Sequence, residues 1–176
     1  MTPEFHRPFA IGRIGAAGRR EQIVATAAER EALARRFDIL AIDDLRAELM
    51  LTPAPGGAFV AEGRLVADVV QACIVTLDPV AQRLELPLAL RFIPEGTDPS
   101  EDPEAPDEID IEDETIDLGE AVAEQLSLGL DPYPRAPGAA LPEELAPPAS
   151  PPVPEAEVPP ARPNPFAALT RFKRDK

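Results

Sequence analysis

A chain of 176 residues with a formal net charge of −15 has room for one domain plus extensions, or at most two small domains. That balance excludes a protein that coats nucleic acid over its whole surface, because phosphate contacts need clustered Lys and Arg. One cysteine, Cys73, excludes an intramolecular disulfide or a multi-cysteine metal site, and one histidine, His6, excludes chemistry that needs two.

Along the chain, residues 1–94 read as a β-rich core with one early helix, and their acids and bases nearly balance. Phe5, Arg7, Phe9 and Ile11 alternate with other residues and predict a first strand; Glu21–Ala25 predicts a second. Thr26 and Glu29 have the spacing of a capping box, and the Ala/Glu/Arg run to Phe37 predicts a helix with Leu33 and Phe37 facing the sheet. Leu45, Ala47, Leu49 and Leu51 mark a half-buried strand, followed by a turn-rich loop at residues 53–57. Phe59 to Leu77 is long for one strand, which predicts a bend or bulge near Gly63 or Gln71. After a turn at Asp78-Pro79, Leu84, Leu86, Leu88, Leu90 and Phe92 alternate cleanly, and Pro87 places that strand at a sheet edge. Short turns between consecutive strands imply an antiparallel meander or partial barrel.

From Glu95 to Glu120 there are many acids and no base. Residues 95–114 read as a solvated, mobile insertion in which Ile109 and Ile111 allow a brief strand. Residues 115–134 return to the core: Asp117 and Glu120 have helix N-cap and N3 spacing, and Leu118, Val122, Leu126 and Leu130 form one apolar stripe. Residues 135–162 are a Pro- and Ala-rich linker of polyproline character. The fold class expected is therefore α+β, with one or two helices on the sheet and a disordered Pro-rich C-terminal tail.

The last segment, residues 163–176, is basic and aromatic on an otherwise acidic chain. Asn164 can cap a helix and Pro165 suits its first position; Phe166, Leu169 and Phe172 recur at helical spacing. Arg171, Lys173 and Arg174 follow, where positive charge opposes the helix dipole. So short a helix is not stable alone, and ordering on a partner is the natural role. Aromatics interleaved with cations suit unpaired bases and phosphates, and the same apolar face suits a groove on a protein.

Other features have structural explanations. Cys73, set among Val70, Ala72 and Ile74 with no basic neighbour, reads as a buried apolar thiol in a strand. His6 reads as an exposed strand residue. The carboxylates of Asp107, Glu108, Asp110, Glu112, Asp113 and Glu114 are split by Ile109 and Ile111 and have no Gly for a calcium loop, so a solvated linker or a docking site for a basic partner is favoured over a metal site. Gly12-Arg13-Ile14-Gly15 lacks the spacing of a phosphate loop. No enzyme and no cofactor is expected. Arg, Asp or Pro interrupts every apolar run, and the N-terminal residues lack a basic region before an apolar one, so a soluble cytoplasmic protein without membrane contact is expected.

Three stretches together resemble the YceD family of bacterial and plastid proteins. They are Val69–Leu77, Ile116–Leu126 with its continuation to Pro134, and Arg162-Pro163-Asn164-Pro165-Phe166-Ala167-Ala168-Leu169. Thr76 stands where many members have a second cysteine, and no cysteine follows the Asp131–Pro134 segment, so a zinc-binding role is not carried over. The resemblance implies a part in accumulation of 23S rRNA and large-subunit biogenesis, and no reaction. Partners so implied are 23S rRNA or a large-subunit precursor; independently of the resemblance, the charge of the acidic 95–120 stretch suits a basic ribosomal protein. The other reading is a protein-binding adaptor whose tail docks in a partner's groove; a nuclease or other hydrolase comes third.

Overall fold

The computed structural model describes residues 3–98, 100, 102 and 106–140. Its strands are β1 (Pro8–Ala10), β2 (Arg19–Val24), β3 (Ala41–Pro53), β4 (Phe59–Ala72), β5 (Pro79–Pro94), β6 (Asp107–Ile111) and β7 (Thr115–Asp117). The main sheet has the order β2-β3-β4-β5-β6. Its first four strands are the expected antiparallel meander, and β6 adds in parallel to Leu90–Pro94 of β5. The sheet is open, with β2 and β6 as its edges, and does not close into a barrel. Pro87 falls in the half of β5 that β6 does not reach, so its missing N–H interrupts no ladder on that side.

Alternation fixes which face is buried. Leu45, Ala47, Leu49 and Leu51 on β3, Leu65, Ala67 and Val69 on β4, and Leu88, Leu90 and Phe92 on β5 share one core. Two helices complete that core. In α1 (Ala27–Arg36) both halves of the Thr26/Glu29 capping box form, and buried Leu33 and Ala34 join the core beside β3. In α2 (Leu118–Gly129) Asp117 caps the start, and buried Leu118, Val122 and Leu126 form the predicted stripe, with Leu130 packed against it. The fold is α+β as its residue pattern implies; of the expected linker only residues 135–140 are described, and there Ala136 bonds to Cys73 instead of running free, while residues 141–162 and the tail lie outside the described residues.

Four local expectations are corrected. The alternation from Phe5 to Ile11 gives only the three-residue β1, which pairs with β7 in a separate two-stranded sheet, because the start of α2 takes the adjoining backbone. His6 therefore precedes the strand instead of lying in it, although it is exposed as expected. β4 ends at Ala72, because the Cys73 N–H turns to the carbonyl of Asp78 (2.8 Å) and the Leu77 N–H returns to Cys73 (2.9 Å). No register shift occurs at Gly63 or Gln71. It falls on β3 between Ile42 and Asp44, leaving Asp43 as the extra, solvent-exposed residue.

Candidate functional site

The two helix starts are tied together by the N-terminal segment. The Arg7 guanidinium forks onto the Glu29 carboxylate (2.6 and 2.8 Å), while the Arg7 backbone N–H donates to Asp117 (2.8 Å). Asp117 also accepts from the N–H groups of Gly119 (3.0 Å) and Glu120 (3.2 Å) and pairs with the His6 ring. Glu120 in turn holds Arg36 at the end of α1 (2.8 Å). Gly119 makes the crossing possible, since a Cβ there would lie 2.0 Å from the carbonyl oxygen of Phe5. The Asp-Leu-Gly-Glu sequence is thus a structural clamp.

The clamp sets an acid limb of stability. Arg7 holds Glu29 down at about 2, against the cost of burial and with help from the Thr26 amide and hydroxyl. Burial pushes Asp117 up, but the Arg7 amide, the His6 ring and the Glu120 amide outweigh it, and its net shift is downward. Both folded values lie below the unfolded ones, so the unfolded chain binds more protons as the pH falls below about 4.5. The stabilisation is complete above that range and is lost toward about pH 2. Asp117→Ala should cost about 2 kcal/mol through the lost cap and the orphaned Arg7 amide. Glu29→Gln should flatten the acid limb; urea midpoints from pH 2 to pH 7 check both.

Beside the clamp lies an acidic cleft of about 630 Å³ lined by Asp110, Glu112, Asp113, Glu120 and Glu124. Asp113 (φ 47°) and Glu114 (φ 56°) form the tip between β6 and β7, a left-handed conformation that Asn and Gly adopt more readily. Burial, Glu120 and Asp107 raise the Glu124 carboxyl against the opposing pull of Arg36. The acids singled out by sequence are not all free: Glu108 accepts from Arg91 (3.2 Å) and Asp107 from Gln125 (2.8 Å).

A second region surrounds Cys73. Its thiol is fully buried, as expected, but in a turn and among polar donors. The N–H groups of Ala136 (3.3 Å) and Val75 (3.4 Å) point at Sγ, and the Ile74 N–H donates to the carbonyl of Pro134 (2.9 Å). The Ala136 amide and then the Thr76 hydroxyl lower the thiol to about 6, outweighing its burial. Next to this turn a groove of about 650 Å³ runs between the ends of α1 and α2, over Phe37, Ile39, Leu130 and Pro134.

Residues 61–173 match the model of the family described as large ribosomal RNA subunit accumulation protein YceD. The chain belongs to the YceD family. No curated protein and no solved structure gives a match. The YceD match runs from β4 through α2 and takes in the terminal Pro-Asn-Pro-Phe motif. A YceD zinc site does not fit here. Thr76 offers a hydroxyl, Ala136 aims an N–H at Sγ, and among the described residues no group of three His, Cys, Asp or Glu side chains is placed to hold a metal. None of the described helices is long and apolar enough to cross a membrane.

The tail candidates Asn164, Pro165, Phe166, Leu169, Arg171, Phe172, Lys173 and Arg174 lie outside the described residues. Sequence reasoning missed the groove. One signal was present: Phe37-Asp38-Ile39 ends α1 without the glycine that its left-handed turn favours.

Proposed function

We propose that this chain is a non-enzymatic factor that supports 23S rRNA accumulation by binding rRNA or a large-subunit precursor particle. The observation that carries this reading is the family match over residues 61–173, whose described function is accumulation of the large ribosomal RNA. The tail supplies the contact to RNA, with Phe166 and Phe172 stacking on bases and Arg171, Lys173 and Arg174 reaching phosphates. The acidic body meets a basic ribosomal protein instead of naked RNA, since a surface of this sign repels phosphate. The cleft of Asp110, Glu112, Asp113, Glu120 and Glu124 supports that division of labour. The two carboxylates held below their usual range, Glu29 and Asp117, are engaged in helix caps, which suits a binding protein better than a catalyst.

The test is the ratio of 23S to 16S rRNA in cells depleted of the protein. A selective fall in 23S, with large-subunit precursors accumulating, is expected. An unchanged ratio with a normal subunit profile would sink the reading.

A further inference from the structure

We propose that the groove between the C-terminal ends of α1 and α2 binds an extended, Lys/Arg-rich protein segment carrying a large apolar anchor residue. The inference adds a second contact to the basic-partner reading above, on which it rests, and it draws on four observations at two adjoining pockets that share Arg36, Phe37 and Ser127.

The floor is apolar and open. Phe37, Ile39 and Leu130 are half-buried, Ile74 is 46% exposed and Leu128 is 75% exposed at the neighbouring end of α2. A side chain of Phe or Leu size entering here would cover surface that nothing in the described residues covers.

The rim is acidic and unspent. Asp38 stands at α1's exit on the groove itself, and Glu124 on α2 lines the adjoining pocket as well as the acidic cleft; neither carboxylate has a hydrogen-bond or ion-pair partner among the described residues. Arg36, the cation between them, is already committed to Glu120 and Glu4. A donor-rich cationic chain is the complement of that rim.

Asp38 is held against local preference. It occupies the residue after the helix cap with φ 54°, in a turn closed by the Ile39 N–H on the carbonyl of Ala34 (3.0 Å). Glycine is the usual residue in this conformation, and a carboxylate there faces the negative end of the helix dipole. A residue that costs stability in both respects points to a role outside the fold.

Gln71 supplies the fourth observation. It is 7% exposed at the groove, its amide nitrogen donates to the carbonyl of Asp131 (2.9 Å), and its oxygen has no donor among the described residues. Buried acceptors are normally paired, and an N–H brought by the occupant, with a small shift of the Asp131–Pro134 segment, would pair this one.

The test uses the full-length protein and two labelled ten-residue peptides of alternating Arg and Lys, one with two Phe residues and one with two Ser residues in their place. Tighter binding of the Phe peptide is expected. Asp38→Asn combined with Glu124→Gln should weaken it about tenfold, the order expected of two carboxylate contacts. Ile74→Asp should abolish the preference for Phe over Ser. Asp38→Gly should weaken binding while raising the urea midpoint, an opposition that a purely structural residue would not give. Equal binding of both peptides would overturn the proposal. So would equal weakening by Glu112→Gln with Asp113→Asn in the other cleft, which would mean general attraction to an acidic protein. If Ile74→Asp instead dissociates a dimer in sedimentation and leaves the peptide affinity unchanged, the occupant is a second copy and the assignment falls. The 23S to 16S ratio is independent of these titrations, so the groove and the rRNA reading can fail separately.

Discussion

Replacing Gly63 by alanine is expected to destabilise the protein by about 3 kcal/mol, the upper end of ordinary overpacking. A Cβ at this position would lie 1.9 Å from the carbonyl oxygen of Glu48 and 2.9 Å from its carbon. Both are backbone atoms of β3, so no rotamer change relieves the contact. β4 cannot retreat either, because Gly63 is paired with Leu49 on one side and with Leu88 on the other, in the middle of two long ladders. Gly129 is a useful contrast. Its Cβ would meet Leu86 Cδ1 at 2.2 Å, the end of a side chain that can turn away, so Gly129→Ala should cost clearly less. Urea midpoints of the two variants provide the comparison. A Gly63→Ala midpoint equal to that of the parent would show that β3 and β4 do not approach as closely as described.

The same position shows what a sequence discloses and what it withholds. A glycine in a strand signals a bend or a close approach, and here it marks the approach; the register shift sits across the pair, at Asp43. Alternation in β3 and β5 was legible because one face of the sheet is buried. The caps of both helices were legible because Thr26/Glu29 and Asp117/Glu120 act over one turn of chain. What failed was non-local. β1 leaves the sheet edge because Asp117, 110 residues away, takes the Arg7 amide. β4 stops at Ala72 where the Cys73 N–H turns to Asp78, and a segment some sixty residues on holds that turn through the Pro134 carbonyl and the Ala136 amide. The parallel direction of β6 depends on a connection whose composition encodes no direction. The groove was hidden for the same reason: Asp38 after α1, Gln71 and Ile74 around the end of β4, and Glu124 on α2 come from three distant stretches of chain, and no spacing relates those stretches.

An acidic protein in an RNA pathway raises a question of sign, and a salt titration answers it. On the exposed sheet face Arg46, Arg64, Arg83 and Arg91 are each matched by a carboxylate, so the described body offers little net attraction to phosphate. If Arg171, Lys173 and Arg174 contact three phosphates of single-stranded RNA, the logarithm of affinity should fall against the logarithm of salt with a slope of about −2. Between about 50 and about 200 mM salt that is a loss of about twentyfold. Replacing the three cations by glutamine should remove this slope and leave a weak residue of stacking. Phe166→Ala with Phe172→Ala should lower affinity at every salt concentration by about 1–3 kcal/mol per stacked base and leave the slope in place. A tail that docks in a protein groove makes the opposite prediction, with strong dependence on the aromatics and weak dependence on salt. Titration of a 23S precursor fragment by the three full-length proteins distinguishes the two. A slope that survives neutralisation of the cations would remove the tail from RNA contact and leave the adaptor reading in its place.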